Sequence, residues 1–281
     1  MDFRIHAIVL RCLSNGAIDP AFADHGVFDF LPDTSDIAVF YDIEALSDGK
    51  IILAGEISTP TSAQHFLLMR LGPDGTPDPT FGNKGIAASG FGTQAYRIAI
   101  QPDKKIVVSG REFGGPGLQY VVARYSPAGV LDDSFAEHGV FHYYYDHYKS
   151  EGTVMSLQQD GKLVLAGILY RGQEQEQMLL RLLPNGSPDP SFGDNGRVVT
   201  TFPGSFLLVP LGMVIQPDHK IVVSGHRFIS VNNLNIANTI VSRYNSNYDP
   251  SVEPPLDPDS LSALLRLYPN PTVRELSLEF A

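Results

Sequence analysis

The chain has no tryptophan, a single cysteine among 281 residues, and no apolar run near the ~18 residues of a membrane-crossing helix. One cysteine excludes an internal disulfide framework and a cysteine-built zinc cluster. Cys12 sits in an apolar run, so the expectation is a small buried residue and not a reactive thiol. Basic residues are also short: 20 Lys and Arg face 31 Asp and Glu, for a net charge of −11. That balance argues against nucleic acid, whose affinity comes largely from Lys and Arg on phosphates. Amphipathic helical periodicity is missing before residue 258, which excludes a TIM barrel and a doubly wound sheet. The opening Met1-Asp-Phe-Arg-Ile-His carries no basic segment leading into an apolar one, so no signal peptide is visible.

What is abundant is turn chemistry, with 26 Gly and 21 Pro, and repetition. The stretch Arg181-Leu-Leu-Pro-Asn-Gly186-Ser-Pro-Asp189-Pro-Ser-Phe192-Gly-Asp-Asn-Gly196 occurs four times with fixed internal spacing. Its other copies hold Arg11, Gly16, Asp19, Phe22 and Gly26; Arg70, Gly75, Asp78, Phe81 and Gly85; and Arg124, Gly129, Asp132, Phe135 and Gly139. Arg243 begins a decayed fifth copy, with Tyr248 in the glycine position. An apolar segment with strand character precedes each Arg, starting with residues 3–12.

A second unit recurs between these loops. It reads Ser47-Asp-Gly-Lys50-Ile-Ile-Leu-Ala-Gly55, and returns ending at Gly110, Gly167 and Gly225. Asp-Gly between apolar runs is a strong hairpin signal. The run after it is almost continuously apolar, as in a strand covered on both faces. Counting from each Gly26-type residue gives four strands per copy. The first follows that glycine, the second precedes the Asp-Gly turn, the third is the Lys-Ile-Ile-Leu strand, and the fourth ends at Arg. Successive Arg residues lie 54 to 62 positions apart. Four short strands, tight turns and a fixed period predict an all-β fold, a β-propeller of four-stranded antiparallel blades. A β-helix has much shorter turns and no use for antiparallel hairpins.

Features shared by every copy read as structural. Each Arg is matched to the Asp eight residues on, or to that of the next blade, as a bidentate pair. The Phe at position eleven pins the loop onto the core. Calcium is disfavoured, because it takes six or more oxygen ligands and each loop fixes one Asp. Features that differ leave room for function. The segments after the repeat glycine vary (Glu56–Gln64, Arg111–Gln119, Ile168–Glu176 and His226–Ala237). The third copy also holds Phe141-His142-Tyr143-Tyr144-Tyr145-Asp146-His147-Tyr148. Tyr143, Tyr144, Tyr145 and Tyr148 are the candidate binding residues, since such rings offer an apolar body and a polar tip to a sugar or peptide. The bland alternative is packing, and a metal site on His142 and His147 lacks further convergent ligands. The four copies plus one surplus Arg strand predict either a ring with an extra strand or, preferably, an arc of a longer propeller.

Taken together, Gln216-Pro-Asp-His-Lys-Ile-Val-Val-Ser-Gly225 and the Arg181–Gly196 motif resemble the delta-60 repeat, a β-propeller family of bacterial secreted proteins. The likeness covers residue 3 to about residue 248. It departs at Lys104 and His219, which replace the turn glycine, and at Ala23 and Ala136, which replace the Gly after Phe. The resemblance implies a propeller with no catalytic residues to carry over, and the residues themselves lead to the expectation of no cofactor and no metal.

The tail differs. Residues 249–265 read as an acidic, Pro-rich linker, with a short helical turn at Ser260–Leu265. Residues 266–281, with Tyr268, Pro269, Asn270 and Pro271 ahead of alternating Leu276, Leu278 and Phe280, are similar to the opening of a type IX secretion C-terminal sorting domain. That likeness implies the type IX machinery as a partner and a secreted or surface location in a Gram-negative bacterium. With no signal peptide and an incomplete sorting domain, both ends read as clipped.

The expectation is therefore three regions: a propeller over residues 1–248, the linker, and the start of a sorting domain. The chain is expected to be a non-catalytic binding or structural module with a glycan or protein ligand. A propeller lyase or hydrolase acting on polysaccharide, and a passive spacer, are the alternatives.

Overall fold

The computed structural model describes residues 7–30, 37–59, 62–114, 117–143, 149–172, 174–231 and 234–246. Among these, every regular element is a β-strand, and the strands form five antiparallel sheets in chain order. The first pairs β1 (Ala7–Leu10) with β2 (Val27–Phe30). The second runs β3 (Ile37–Ala45), β4 (Ile51–Thr59), β5 (Ser62–Leu71), β6 (Ile86–Ala88). The third runs β7 (Gln94–Ile100), β8 (Ile106–Gly114), β9 (Gly117–Tyr125), β10 (Val140–Tyr143). The fourth runs β11 (Lys149–Leu157), β12 (Leu163–Arg171), β13 (Glu174–Leu182), β14 (Arg197–Thr201), and the fifth β15 (Ser205–Ile215), β16 (Ile221–Val231), β17 (Leu234–Tyr244). The first strand of each sheet from β3 onward lies against the first strand of the next: β3 on β7, β7 on β11, β11 on β15. Sheets stacked face to face around their first strands make a β-propeller.

The blades are phased differently from the sequence count. The short strand after each Gly26-type residue closes the blade it follows and does not open the next one: β6 pairs with β5, β10 with β9 and β14 with β13. Hydrogen bonds inside the loop explain this. Arg70 N donates to Gly85 O at 2.9 Å and Asp78 N donates to Arg70 O at 2.9 Å, so the chain doubles back beside the Arg strand. The same pair of bonds recurs at Arg124 and Arg181.

The core lies between blades. Ile52, Phe66 and Leu68 of the second sheet pack with Ile98, Val108 and Val121 of the third. Val107, Tyr120 and Val122 of the third pack with Leu163, Leu165 and Met178 of the fourth. Each such side chain contributes about 1.5–3 kcal/mol of burial. The middle strands are covered on both faces, as their unbroken apolar runs predict.

Cys12 departs from expectation: it is exposed. The strand ends at Leu10, Cys12 makes only an isolated bridge to Ile18, and Leu13 and Ile18 are exposed beside it. Among the described residues nothing lies within 4 Å of a Cβ added at Gly16 of this first loop, whereas the matching glycines of the later loops are seated on a Phe ring.

Candidate functional site

The blades have two unlike ends. At one end lie the Asp-Gly turns and the Arg motif, and here the repeats are nearly identical. Each Arg meets the Asp eight residues on through Nε alone: 2.8 Å for Arg11–Asp19, 2.9 Å for Arg70–Asp78, and 2.8 Å for both Arg124–Asp132 and Arg181–Asp189. The expected bidentate pair does not form, because the other two arms of the guanidinium are used elsewhere. Nη2 donates to a hydroxyl two residues past the Asp, at Thr80, Ser134 and Ser191. Nη1 crosses to the next blade and donates to the carbonyl of Pro73, Pro127, Pro184 or Ser246. The guanidinium also lies 4.5–4.8 Å over Phe22, Phe81, Phe135 and Phe192.

The repeat lysine completes the joint. Lys50, Lys105 and Lys162 reach Asp78, Asp132 and Asp189 of their own blades at 2.9, 3.0 and 3.2 Å. Burial pushes these carboxyls up. Hydrogen bonds from Lys, the nearby hydroxyl and the backbone, together with the Arg charge, more than offset it. The net result holds Asp78 and Asp132 far below the usual carboxylate range and Asp189 at about 2.

Glycine finishes the contact. Gly75, Gly129 and Gly186 have φ of 82, 78 and 88° and lie where an added Cβ meets the ring of the preceding blade's Phe at 2.7–2.9 Å. This end is a structural joint, in which the repeated Arg, Asp, Lys, Phe and Gly hold each loop together and seat it on its neighbouring blade.

The opposite halves of the blades diverge, and a polar cluster sits there. The repeat glycines Gly55, Gly110, Gly167 and Gly225 press on the first strand of their blade, where an added Cβ would meet a carbonyl oxygen at 1.7, 1.9, 2.2 and 2.4 Å. Opposite each glycine that strand bulges, with Tyr41, Tyr96, Thr153 and Leu211 as the extra residues. A bulge re-aims the side chain it carries. Tyr41 and Tyr96 meet edge to face at 5.2 Å across two blades.

From them a hydrogen-bonded chain crosses three blades. Tyr41 Oη donates to Glu56 Oε1 at 2.9 Å, and Gln94 Nε2 donates to Tyr41 Oη at 3.0 Å. Tyr96 Oη lies 2.7 Å from Gln94 Oε1 and 3.3 Å from Glu151 Oε1. Arg111 Nη1 donates to Glu151 Oε1 at 2.7 Å, and Tyr170 Oη donates to Glu151 Oε2 at 3.1 Å. Arg111 also lies over the rings of Tyr96 and Phe113 at 5.6 and 5.4 Å.

Among the described residues, two atoms of this network have no hydrogen-bond partner: Oε2 of Glu56, a residue 5% exposed, and Arg111 Nε, both shut off from solvent. Desolvation first, then the neighbouring carboxylates, push the phenols up: Tyr41 and Tyr170 to about 12, and Tyr96 further. All three are therefore neutral hydroxyls at ordinary pH, able to donate and accept but poor as proton abstractors.

The sequence candidates fall elsewhere. Tyr143 is buried at the seam of the third and fourth sheets, with its Oη 3.3 Å from Arg197 Nη1, so it is a packing residue and not an open ring. Tyr144, Tyr145, Tyr148 and His147 lie outside the described residues, as do Tyr268, Pro269, Asn270 and Pro271. His142 lies 2.9 Å from Glu112 Oε2. Among the described residues no group of three or more His, Cys, Asp or Glu is placed to hold a metal ion. The sequence signal for the cluster is the residue after the repeat glycine, which changes from Glu56 to Arg111 to Ile168 to His226.

The class is a β-propeller repeat protein. A family model described as "Domain of unknown function (DUF5122) beta-propeller" matches residues 46–81, 101–135 and 158–192, each span running from an Asp-Gly-type turn to the Phe of the joint. Among solved structures the chain is similar to an endo-arabinase from Bacteroides thetaiotaomicron, at 12% identity over 78% of this chain and 82% of that one, with a TM-score of 0.38. No curated protein matches.

Proposed function

We propose that the protein is a non-catalytic recognition module that binds its ligand at the Tyr41–Glu56–Gln94–Tyr96–Arg111–Glu151–Tyr170 cluster. The observation that carries this reading is the part-buried hydrogen-bonded chain across three blades, built from residues that differ from one blade to the next while the Arg motif is shared by all. The raised phenols support recognition over chemistry, since a neutral phenol donates a hydrogen bond without taking up a proton. The test is titration calorimetry of the full chain against oligosaccharides and peptides, with Tyr41→Phe and Glu151→Gln. Weaker binding in both variants at unchanged melting temperature supports the reading; unchanged affinity in both sinks it.

A polysaccharide lyase or hydrolase is the second reading, favoured by two carboxylates, Glu56 and Glu151, in one network. Turnover of a polysaccharide that disappears in Glu56→Gln and Glu151→Gln would establish it over the first. Export through type IX secretion to the surface of a Gram-negative bacterium rests on Tyr268, Pro269, Asn270 and Pro271. Its test is the surface fraction of the chain with and without residues 266–281 in a host with that system.

A further inference from the structure

We infer that the two terminal blade faces are complementary halves of one joint, on which a second copy of this chain docks head to tail. At each internal boundary two positions of the Arg strand face the preceding blade. In the second sheet these are Leu67 and Met69, three and one residues before Arg70, buried beside Ala7, Phe22 and Phe28 of the first sheet. The third sheet uses Val121 and Ala123, and the fourth Met178 and Leu180, in the same places. Their counterparts in the first sheet, Ile8 and Leu10, are 62% and 52% exposed. In the loop that follows, a Cβ added at Gly16 meets nothing within 4 Å, where Gly75, Gly129 and Gly186 would meet a ring.

The fifth sheet presents the matching half. Val164 and Leu179 of the fourth sheet, two residues after Lys162 and two before Arg181, are buried against Ile221, Val223 and Tyr244 of the fifth. The equivalent Val222 and Val241 are only half-buried, and Val214, paired with Val222 and so on its face, is 57% exposed. Arg243 also pairs with Val222, and is half-buried where Arg181 is buried. Ser251 and Pro254 stand where its Asp and Phe would be. In the docked pair the carbonyl of Ser14, three residues past Arg11, serves Arg243 as the carbonyl of Ser246 serves Arg181. Both faces are exposed in one chain, so its own two ends do not cover each other. Pairing like faces would set Ile8 on Ile8, unlike any boundary inside the chain. Pairing unlike faces continues an interface that the chain already builds four times between its successive sheets. Such a head-to-tail contact grows into a ring or a filament.

The test is sedimentation velocity of the full chain across micromolar concentrations, with Ile8→Asp, Val214→Asp and, as an exposed control away from both faces, Val130→Asp. The expected result is concentration-dependent association of the wild type and the control. Each terminal variant alone should stay a monomer, since every contact in the assembly uses both faces. An equimolar mixture of Ile8→Asp and Val214→Asp should form a one-to-one pair and nothing larger. In that pair one copy supplies the intact fifth sheet and the other the intact first sheet. Arg243→Ala should weaken association about tenfold, the loss of one hydrogen bond from a charged group. A wild type that stays monomeric at every concentration overturns the inference. So does a terminal variant that associates alone as the wild type does, which would mean a like-face contact, or a mixture that remains monomeric. Unchanged circular dichroism and melting of each variant separates lost docking from lost fold.

Discussion

Gly129 sits at φ 78° with its missing Cβ aimed at the ring of Phe81, one blade back, so a turn in the third sheet's loop is seated on the second sheet's core. Gly16 has a matching φ of 83° and nothing within 4 Å of its would-be Cβ. Two glycines with one conformation therefore carry different loads. Gly16→Ala is expected to cost only the backbone strain, about 1–2 kcal/mol. Gly129→Ala adds overpacking against Phe81 of a further ~1–3 kcal/mol. Denaturant melts of the two variants check the difference, and equal losses would mean that the ring contact contributes nothing.

Arg124 joins Asp132, Ser134 and the carbonyl of Pro184 with three arms of one planar group. Lysine has no such fork, so Arg124→Lys should lose the crossing to the next blade while keeping charge. The expected cost is about 1.5–3 kcal/mol, that of a lost hydrogen bond made by a charged group. Arg11→Lys should cost much less, because Arg11 is more than one-third exposed and Ala21 occupies the place of the hydroxyl partner.

Acid should leave the joints intact until low pH. A carboxyl whose folded pKa is depressed contributes stability above its unfolded value, near 4, and loses it as pH falls through the folded value. With Asp189 at about 2 and Asp78 and Asp132 lower still, melting temperature should change little from pH 7 to about 4 on their account, then fall steeply toward pH 2. Asp189→Asn should be less stable at pH 7 and show a shallower acid limb. A limb of unaltered steepness contradicts the assignment.

Alkali acts on the opposite half of the blades. Tyr41, Tyr96 and Tyr170 have raised folded values, so their contribution is complete below the unfolded value of about 10 and is lost as pH climbs past it toward 12. Phenolate absorbance should therefore show a class of tyrosines titrating with unfolding above pH 11, reduced in a Tyr41→Phe, Tyr96→Phe double variant.

The fold was legible because its devices repeat. An Arg, Gly, Asp and Phe that return at fixed spacing reveal a blade-to-blade joint, and Asp-Gly before an apolar run reveals a hairpin. The phase of the blade was not legible: the backbone bonds from Arg70 to Gly85 and Asp78, which assign β6 to the preceding sheet, leave no trace in side-chain pattern. Non-glycine turns show a related limit. Lys104 and His219 replace the turn glycine yet keep φ of 67 and 66°, and Ala23 and Ala136 keep 45 and 46°, so the loop geometry outlasts the residue that favours it. The cluster is obscured because its partners Tyr41 and Glu56, Tyr41 and Gln94, and Arg111 and Glu151 lie 15, 53 and 40 positions apart and meet only when three blades stack. The tyrosine run is the more conspicuous pattern in the sequence, and its Tyr143 is core.

The central claim is that one end of the blades is joint and the other is site. Hydrogen–deuterium exchange of the full chain, with and without a saturating oligosaccharide, tests it most directly. The account predicts added protection in residues 37–45, 94–100 and 149–157, which carry Tyr41, Gln94, Tyr96 and Glu151. Protection confined to residues 70–85, 124–139 and 181–196, around the Arg motif, would contradict it.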